Sequence, residues 1–185
     1  MKKLQALITI PLLLSPLVAS EWELNKASIY HDNDIYYSTD HSYTAGQGGS
    51  LSFYIPEENY EFYKLLGNNH KKTDSYINFA LMNQIYTPTE IADYDLIKDD
   101  RPYAGWTYFE TSISKASKDE LRTVSLKTGM VGKASGGEFF QTTLHEAFDF
   151  DDVNGWDNQL ENELGINVGI TQKWRYELEK VAGVE

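Results

Sequence analysis

Six segments of this chain alternate apolar and polar residues with a period of two, and no apolar run after Glu21 approaches the roughly 20 residues of a membrane helix. Period two means strands, because successive side chains of an extended chain point to opposite faces. The chain is therefore expected to be all-β. If it crosses a membrane, it crosses as an antiparallel barrel, since lipid leaves no partner for unpaired strand edges.

The six segments run from Trp22 to Asn33, Thr44 to Ile55, Ser75 to Thr87, Tyr103 to Ile113, Leu121 to Val131 and Gly165 to Tyr176. In the first, Trp22, Leu24, Ser28 and Tyr30 share one side, with Lys26 an exception, and Glu23, Asn25, His31 and Asn33 the other. In the second, Leu51, Phe53 and Ile55 oppose Thr44, Gly46, Gly48, Ser50 and Ser52. In the third, Ile77, Phe79, Leu81 and Ile85 oppose Asn78, Gln84 and Tyr86. The fourth is aromatic on both faces. In the fifth, Val124, Leu126 and Met130 oppose Thr123, Ser125 and Lys127; in the sixth, Ile166, Val168 and Ile170 oppose Asn167, Thr171 and Lys173.

A soluble sandwich and a membrane barrel both fit this alternation, with the apolar face turned to a core in one and to lipid in the other. Three features favour the barrel. Residues 1–20 read as a secretion signal: Lys2 and Lys3, an apolar stretch from Leu4 to Leu17, then Val18-Ala19-Ser20 before a cleavage point at Glu21. The strands are near the 9–11 residues of a spanning strand. The chain carries 13 Tyr and 4 Trp, residues that collect at membrane interfaces. Residues 21–185 then form one domain. Six strands fall short of the roughly 8 needed to close a barrel, so this domain is expected to be the first part of a longer one.

Charge and composition narrow the chemistry. The net charge is -12, and removing Lys2 and Lys3 takes it to -14, which argues against nucleic acid and suits divalent cations. With 0 Cys, neither a disulfide scaffold nor a thiolate metal site is available. The Gly129–Gly137 stretch lacks the spacing and the Lys-Ser/Thr pair of a phosphate loop. Arg101-Pro102-Tyr103-Ala104-Gly105-Trp106 reads as an aromatic strand entrance, an anchor at the membrane interface.

One segment stands apart from the strands. Gln141-Thr142-Thr143-Leu144-His145-Glu146 reads as one or two helical turns, with Gln141 and His145 on one side at i and i+4. Asp149, Asp151 and Asp152 follow. A neutral imidazole can take a proton from water, and carboxylates are hard-oxygen donors suited to Ca²⁺, although the spacing is not that of an EF-hand. A second short helix is expected over Gly155 to Glu163, leading into the sixth strand. Thr44 lies on the small, polar side of the second strand, which leaves room above it for a substrate or a helix.

Taken in order, Asn33-Asp34, Tyr43-Thr44-Ala45-Gly46, Ile85-Tyr86-Thr87-Pro88, Asp100 to Trp106, Gly129 to His145 and Trp156-x-x-Gln159-Leu160-x-Asn162 resemble the lipid A 3'-O-deacylase family of Gram-negative outer membranes. The resemblance implies an outer-membrane barrel of about twelve strands, of which roughly six are present here. It implies lipid A or lipopolysaccharide as substrate, membrane lipid as surroundings and Ca²⁺ as cofactor. It implies His145 as the water-activating base, with Asn33, Thr44, Gln141 and Lys98 at the active site and Asp34 and Asp151 as metal ligands. Two rivals remain: a non-enzymatic barrel, porin-like or structural, and a soluble periplasmic Ca²⁺-binding sandwich.

Overall fold

The computed structural model describes residues 21–33, 43–56, 66–67, 73–150 and 152–176. Six antiparallel strands form one sheet in sequence order: β1 (Glu23–Asn33), β2 (Ala45–Tyr54), β3 (Asp74–Tyr86), β4 (Ala104–Ala116), β5 (Glu120–Val131) and β6 (Glu163–Trp174). Each is 10–13 residues long, as expected for tilted strands that cross a bilayer. Among the described residues the sheet is open, with β1 and β6 each paired on one side only.

Helical structure lies between β5 and β6. A 3₁₀ turn (Lys133–Ser135) leads into α1 (Gly137–Phe148), and a second 3₁₀ turn (Gly155–Asn158) follows. The helix is longer than its sequence pattern suggests, and the segment around Trp156 forms a single tight turn rather than an α-helix.

Pairing register assigns the faces, because residues directly opposite each other point the same way. One face carries Ile29, Gly49, Leu81, Phe109 and Thr128 in a single row, with Ala27, Leu51, Phe79, Thr111 and Leu126 in the next. The other carries Ser28, Ser50, Ala80, Glu110 and Lys127. The apolar face is bare across its middle: Ile29 is 93% exposed, Ile166 64% and Val168 68%. A sandwich would bury this row under a second sheet. Its exposure fits lipid as the neighbour.

Reading β1 by strict alternation fails at one point. Leu24 pairs with Phe53 and Lys26 with Ser52, so Asn25 is an extra residue, a β-bulge. The bulge exchanges the faces along the strand. Leu24, Ala27 and Ile29 lie on the apolar side, and Lys26, Ser28 and Tyr30 on the polar side. Lys26 breaks the alternation because the strand itself shifts there.

Both ends of the apolar face are covered. Leu66 packs on Phe53, Ile55 and Ile77, flanked by Trp22, Phe79 and Ile113. The Arg122 guanidinium donates to the Leu66 carbonyl (3.0 Å) and the Lys115 ammonium to the Gly67 carbonyl (3.0 Å). The opposite end holds α1. That end also carries the connections 34–44, 87–103 and 132–162, whereas β4 and β5 are joined by a tight Ser117 turn. Every connection at the α1 end is long, whereas the other end has one long connection, 55–73, and one tight turn; outer-membrane barrels keep their short turns inside, a pattern that fits α1 at the outer end.

Candidate active site

The outer end of the apolar face is built to receive a helix. Asn33, Ala45, Ile85 and Gly105 form one row across β1 to β4, and His31, Gln47, Asn83 and Thr107 the next. Gly105 is the seat. A β-carbon there would strike the Ser135 hydroxyl and the Gly137 backbone, and one at Gly137 would strike Gly105 in return. Two glycines thus let strand and helix backbones touch. The helix also contacts β3. Sequence reasoning offers the small polar side of β2, the one shared by Gly46, Gly48, Ser50 and Ser52, as the place for a helix. The structure puts α1 on the other, apolar face, where Gly105 leaves room for it and Asn83 and Thr107 bond the turn before it.

A hydrogen-bonded chain holds the turn before α1. The Gln47 amide donates to the Asn83 Oδ1 (3.0 Å), and Asn83 Nδ2 donates to Thr107 Oγ1 (2.7 Å). Thr107 donates to the Ser135 carbonyl (2.6 Å), which Asn83 Nδ2 also approaches (3.3 Å). These residues were missed in the sequence, though a signal was there. Asn83 interrupts the apolar row of Ile77, Phe79, Leu81 and Ile85, and a buried amide in such a row requires partners.

The Trp156–Asn162 segment clamps the helix from its other side. Trp156 packs on Tyr103 (4.9 Å between rings) and Ile85, and its Nε1 donates to the Gln141 Oε1 (2.9 Å). Gln159 donates to Glu138 (3.3 Å), and the Ala134 N–H donates to the Asn162 side chain (2.7 Å). Tyr103 is buried, so it is no interface anchor: it donates to the Ile91 carbonyl (2.8 Å), and burial pushes its phenol up to about 12. Asn154 and Asn158 tie the same loop to the 87–103 connection through the Ala92 and Tyr94 carbonyls. Asp100 closes that connection by accepting from the Thr89 and Arg101 backbone N–H groups, which hold its carboxyl below the usual range.

Against this frame the residues of interest fall as follows. Gln141 is buried against Trp156, with no partner for its Nε2 among the described residues. His145, one turn on, shares its side of the helix and is half-buried. Asp149 ends α1 in the left-handed conformation (φ 56°), and its N–H and that of Phe150 both return to the His145 carbonyl. The reversal brings the Phe150 ring edge-on to the His145 imidazole (5.5 Å). Asn33 ends β1 on the face that carries α1. Thr44 lies just before β2; its N–H donates to the Ile85 carbonyl (2.9 Å), and its hydroxyl meets the Thr87 hydroxyl (2.7 Å).

Lys98 is not brought in: it is exposed in the β3–β4 connection, without a hydrogen bond or ion pair to a described residue. Asp34 and Asp151 lie outside the described residues. Among the described residues no three His, Asp or Glu side chains gather to hold a metal ion. The Asn33 carboxamide oxygen, on the face that carries α1, is a hard donor of the kind that suits Ca²⁺.

Comparison with known proteins agrees with this architecture. The sequence profile of the family described as "Outer membrane protein LpxR" matches residues 6–185. LpxR from Salmonella typhimurium is similar in structure, with a TM-score of 0.61 at 17% identity over 84% of this chain. This chain spans 52% of that structure, about half its length. No match is found among curated proteins.

Proposed function

The chain belongs to the LpxR family of outer membrane proteins, and on that premise we propose that it is a lipid A deacylase of the outer membrane. The reaction is hydrolysis of the 3'-linked acyloxyacyl ester, and the substrate is lipid A or lipopolysaccharide. One observation carries the reading. Trp156 holds the buried Gln141 by a hydrogen bond, and His145 one turn later shares that side of a helix seated on the apolar face. An acyl chain in the membrane and a water-activating imidazole then meet on the same side of the sheet.

In this mechanism His145 takes a proton from water, and the resulting hydroxide attacks the ester carbonyl. Departure of the sugar oxygen requires a proton, which the imidazolium can return. The Asn33 carboxamide and the Thr44 hydroxyl supply hydrogen bonds to the developing oxyanion or the substrate headgroup. The Gln141 Nε2, without a partner among the described residues, is one more donor on the His145 side of the helix. Lys98 is free to swing towards an anionic headgroup. Asp34 and Asp151 would hold Ca²⁺, which when bound polarises a carbonyl and offsets negative charge on oxygen. No serine nucleophile is needed.

Mass spectrometry of lipid A tests this. Membranes carrying the folded protein with Ca²⁺ should lose the 3' acyloxyacyl mass, and the loss should stop with chelator or in His145→Ala. Intact lipid A from folded wild-type protein would point instead to a non-enzymatic barrel. Acyl loss unchanged in His145→Ala would remove the assigned base.

A further inference from the structure

Behind the wall, on the polar face, a second feature touches the same residues. The Tyr43 hydroxyl donates to the Asp32 carboxylate (2.6 Å). Its ring lies edge-on to Tyr86 (5.6 Å) and directly over Gly46, where a β-carbon would collide with the hydroxyl and the Asp32 side chain. Asp32 and Gly46 face each other in the β1–β2 ladder. Tyr43 therefore folds back over a ladder pair and is held there by a charge-assisted bond, on a position only glycine leaves open. Burial and the neighbouring carboxylate both raise its phenol, so the hydroxyl remains a donor at any physiological pH.

Asp32 is the chain neighbour of Asn33, and Tyr43 that of Thr44. The latch lies on one face, and Asn33 points to the other. We propose that the Asp32–Tyr43 bond is a positioning latch that fixes Asn33 and Thr44 from behind the wall. Tyr43 and Asp32 touch no substrate; they hold the two ends of the β1–β2 connection so that the Asn33 amide and the Thr44 hydroxyl keep one relative placement. The catalytic half of this proposal rests on the deacylase reading above, whereas its structural half does not.

Two readouts separate the halves. In Tyr43→Phe the ring stays over Gly46 and only the bond to Asp32 is lost. Hydrogen exchange at the Thr44 amide, bonded to Ile85, should quicken about tenfold, because its local anchor is gone. The kcat for acyl release should fall roughly 10- to 100-fold with KM little changed, since misplacement of positioned groups acts on the transition state. Asp32→Asn keeps an oxygen acceptor for the Tyr43 hydroxyl and should leave both readouts near wild type, whereas Asp32→Ala should match Tyr43→Phe. Unchanged Thr44 exchange in folded Tyr43→Phe overturns the latch. Faster exchange with kcat unchanged overturns its catalytic role. Faster exchange in a protein whose wild type releases no acyl chain leaves the latch standing and removes the deacylase reading.

Discussion

The middle and the outer end of the apolar face belong to the same strands, yet they meet different neighbours. In the middle, Ile29, Leu81 and Phe109 stand exposed in a row with Gly49. Two residues further out along each strand the same face carries His31, Gln47, Asn83 and Thr107, and beyond them Gly105. Lipid accepts the Ile29, Gly49, Leu81 and Phe109 part of the first row because those side chains hold no polar group to satisfy. It cannot accept the second, whose amides and hydroxyl need partners, and the Ser135 carbonyl at the start of α1 supplies one. Alternation decides which face a residue joins, and the breaks in alternation decide what covers it.

The largest expected effect comes from removing the clamp at the outer end. Trp156→Ala deletes the ring buried on Tyr103 and Ile85 and strands Gln141, and it should cost about 3–5 kcal/mol. Denaturant titration of the protein in detergent measures this. A loss below about 1 kcal/mol would mean that the outer end is no better fastened than the bare middle. Asn83→Leu makes the outer row resemble the middle one. It leaves the Ser135 carbonyl one donor short and the Gln47 amide without its acceptor, at a cost of about 1–3 kcal/mol. Proteolysis between Val131 and Glu163 should quicken in that variant, while the strands stay protected.

A smaller effect is set by pH. Asp100 has a carboxyl below its ordinary value of 3.8, so its contribution is fully present above that value and is lost as pH falls through the lowered one. Amide exchange at Thr89 and Arg101 should therefore quicken only in strong acid, and Asp100→Asn should remove the pH dependence. Exchange that quickens already near neutrality would assign the closure of this connection to another group.

The strands were legible in the sequence because period two leaves a mark over a dozen residues, and six segments match six strands within two or three residues at most ends. The register of β1 was not, because one inserted residue, Asn25, reverses its faces without altering its composition. Gln141 and His145 were legible as a helical pair. Their seat was not, since Gly105 and Asn83 acquire meaning only once β3 and β4 are aligned beside the turn at Ser135. The Trp156-x-x-Gln159-Leu160-x-Asn162 pattern carried a role that sequence alone leaves silent: its Trp, Gln and Asn each bond the helical segment. Asp34 and Asp151, the two residues that the resemblance makes metal ligands, lie outside the described residues.

Everything proposed for His145 depends on α1 lying on the lipid-facing side of the wall. The chain has 0 Cys, so single cysteines can be placed and labelled without interference. Leu81 and Ala80 are chain neighbours on opposite faces of β3, Leu81 on the side that carries α1. With the protein in a bilayer, a fluorophore on Leu81→Cys should be quenched by a quencher carried on lipid chains and spared by an aqueous one. A fluorophore on Ala80→Cys should show the reverse. Quenching of Leu81→Cys from water and of Ala80→Cys from lipid would turn the sheet inside out, place α1 in the lumen and contradict the account.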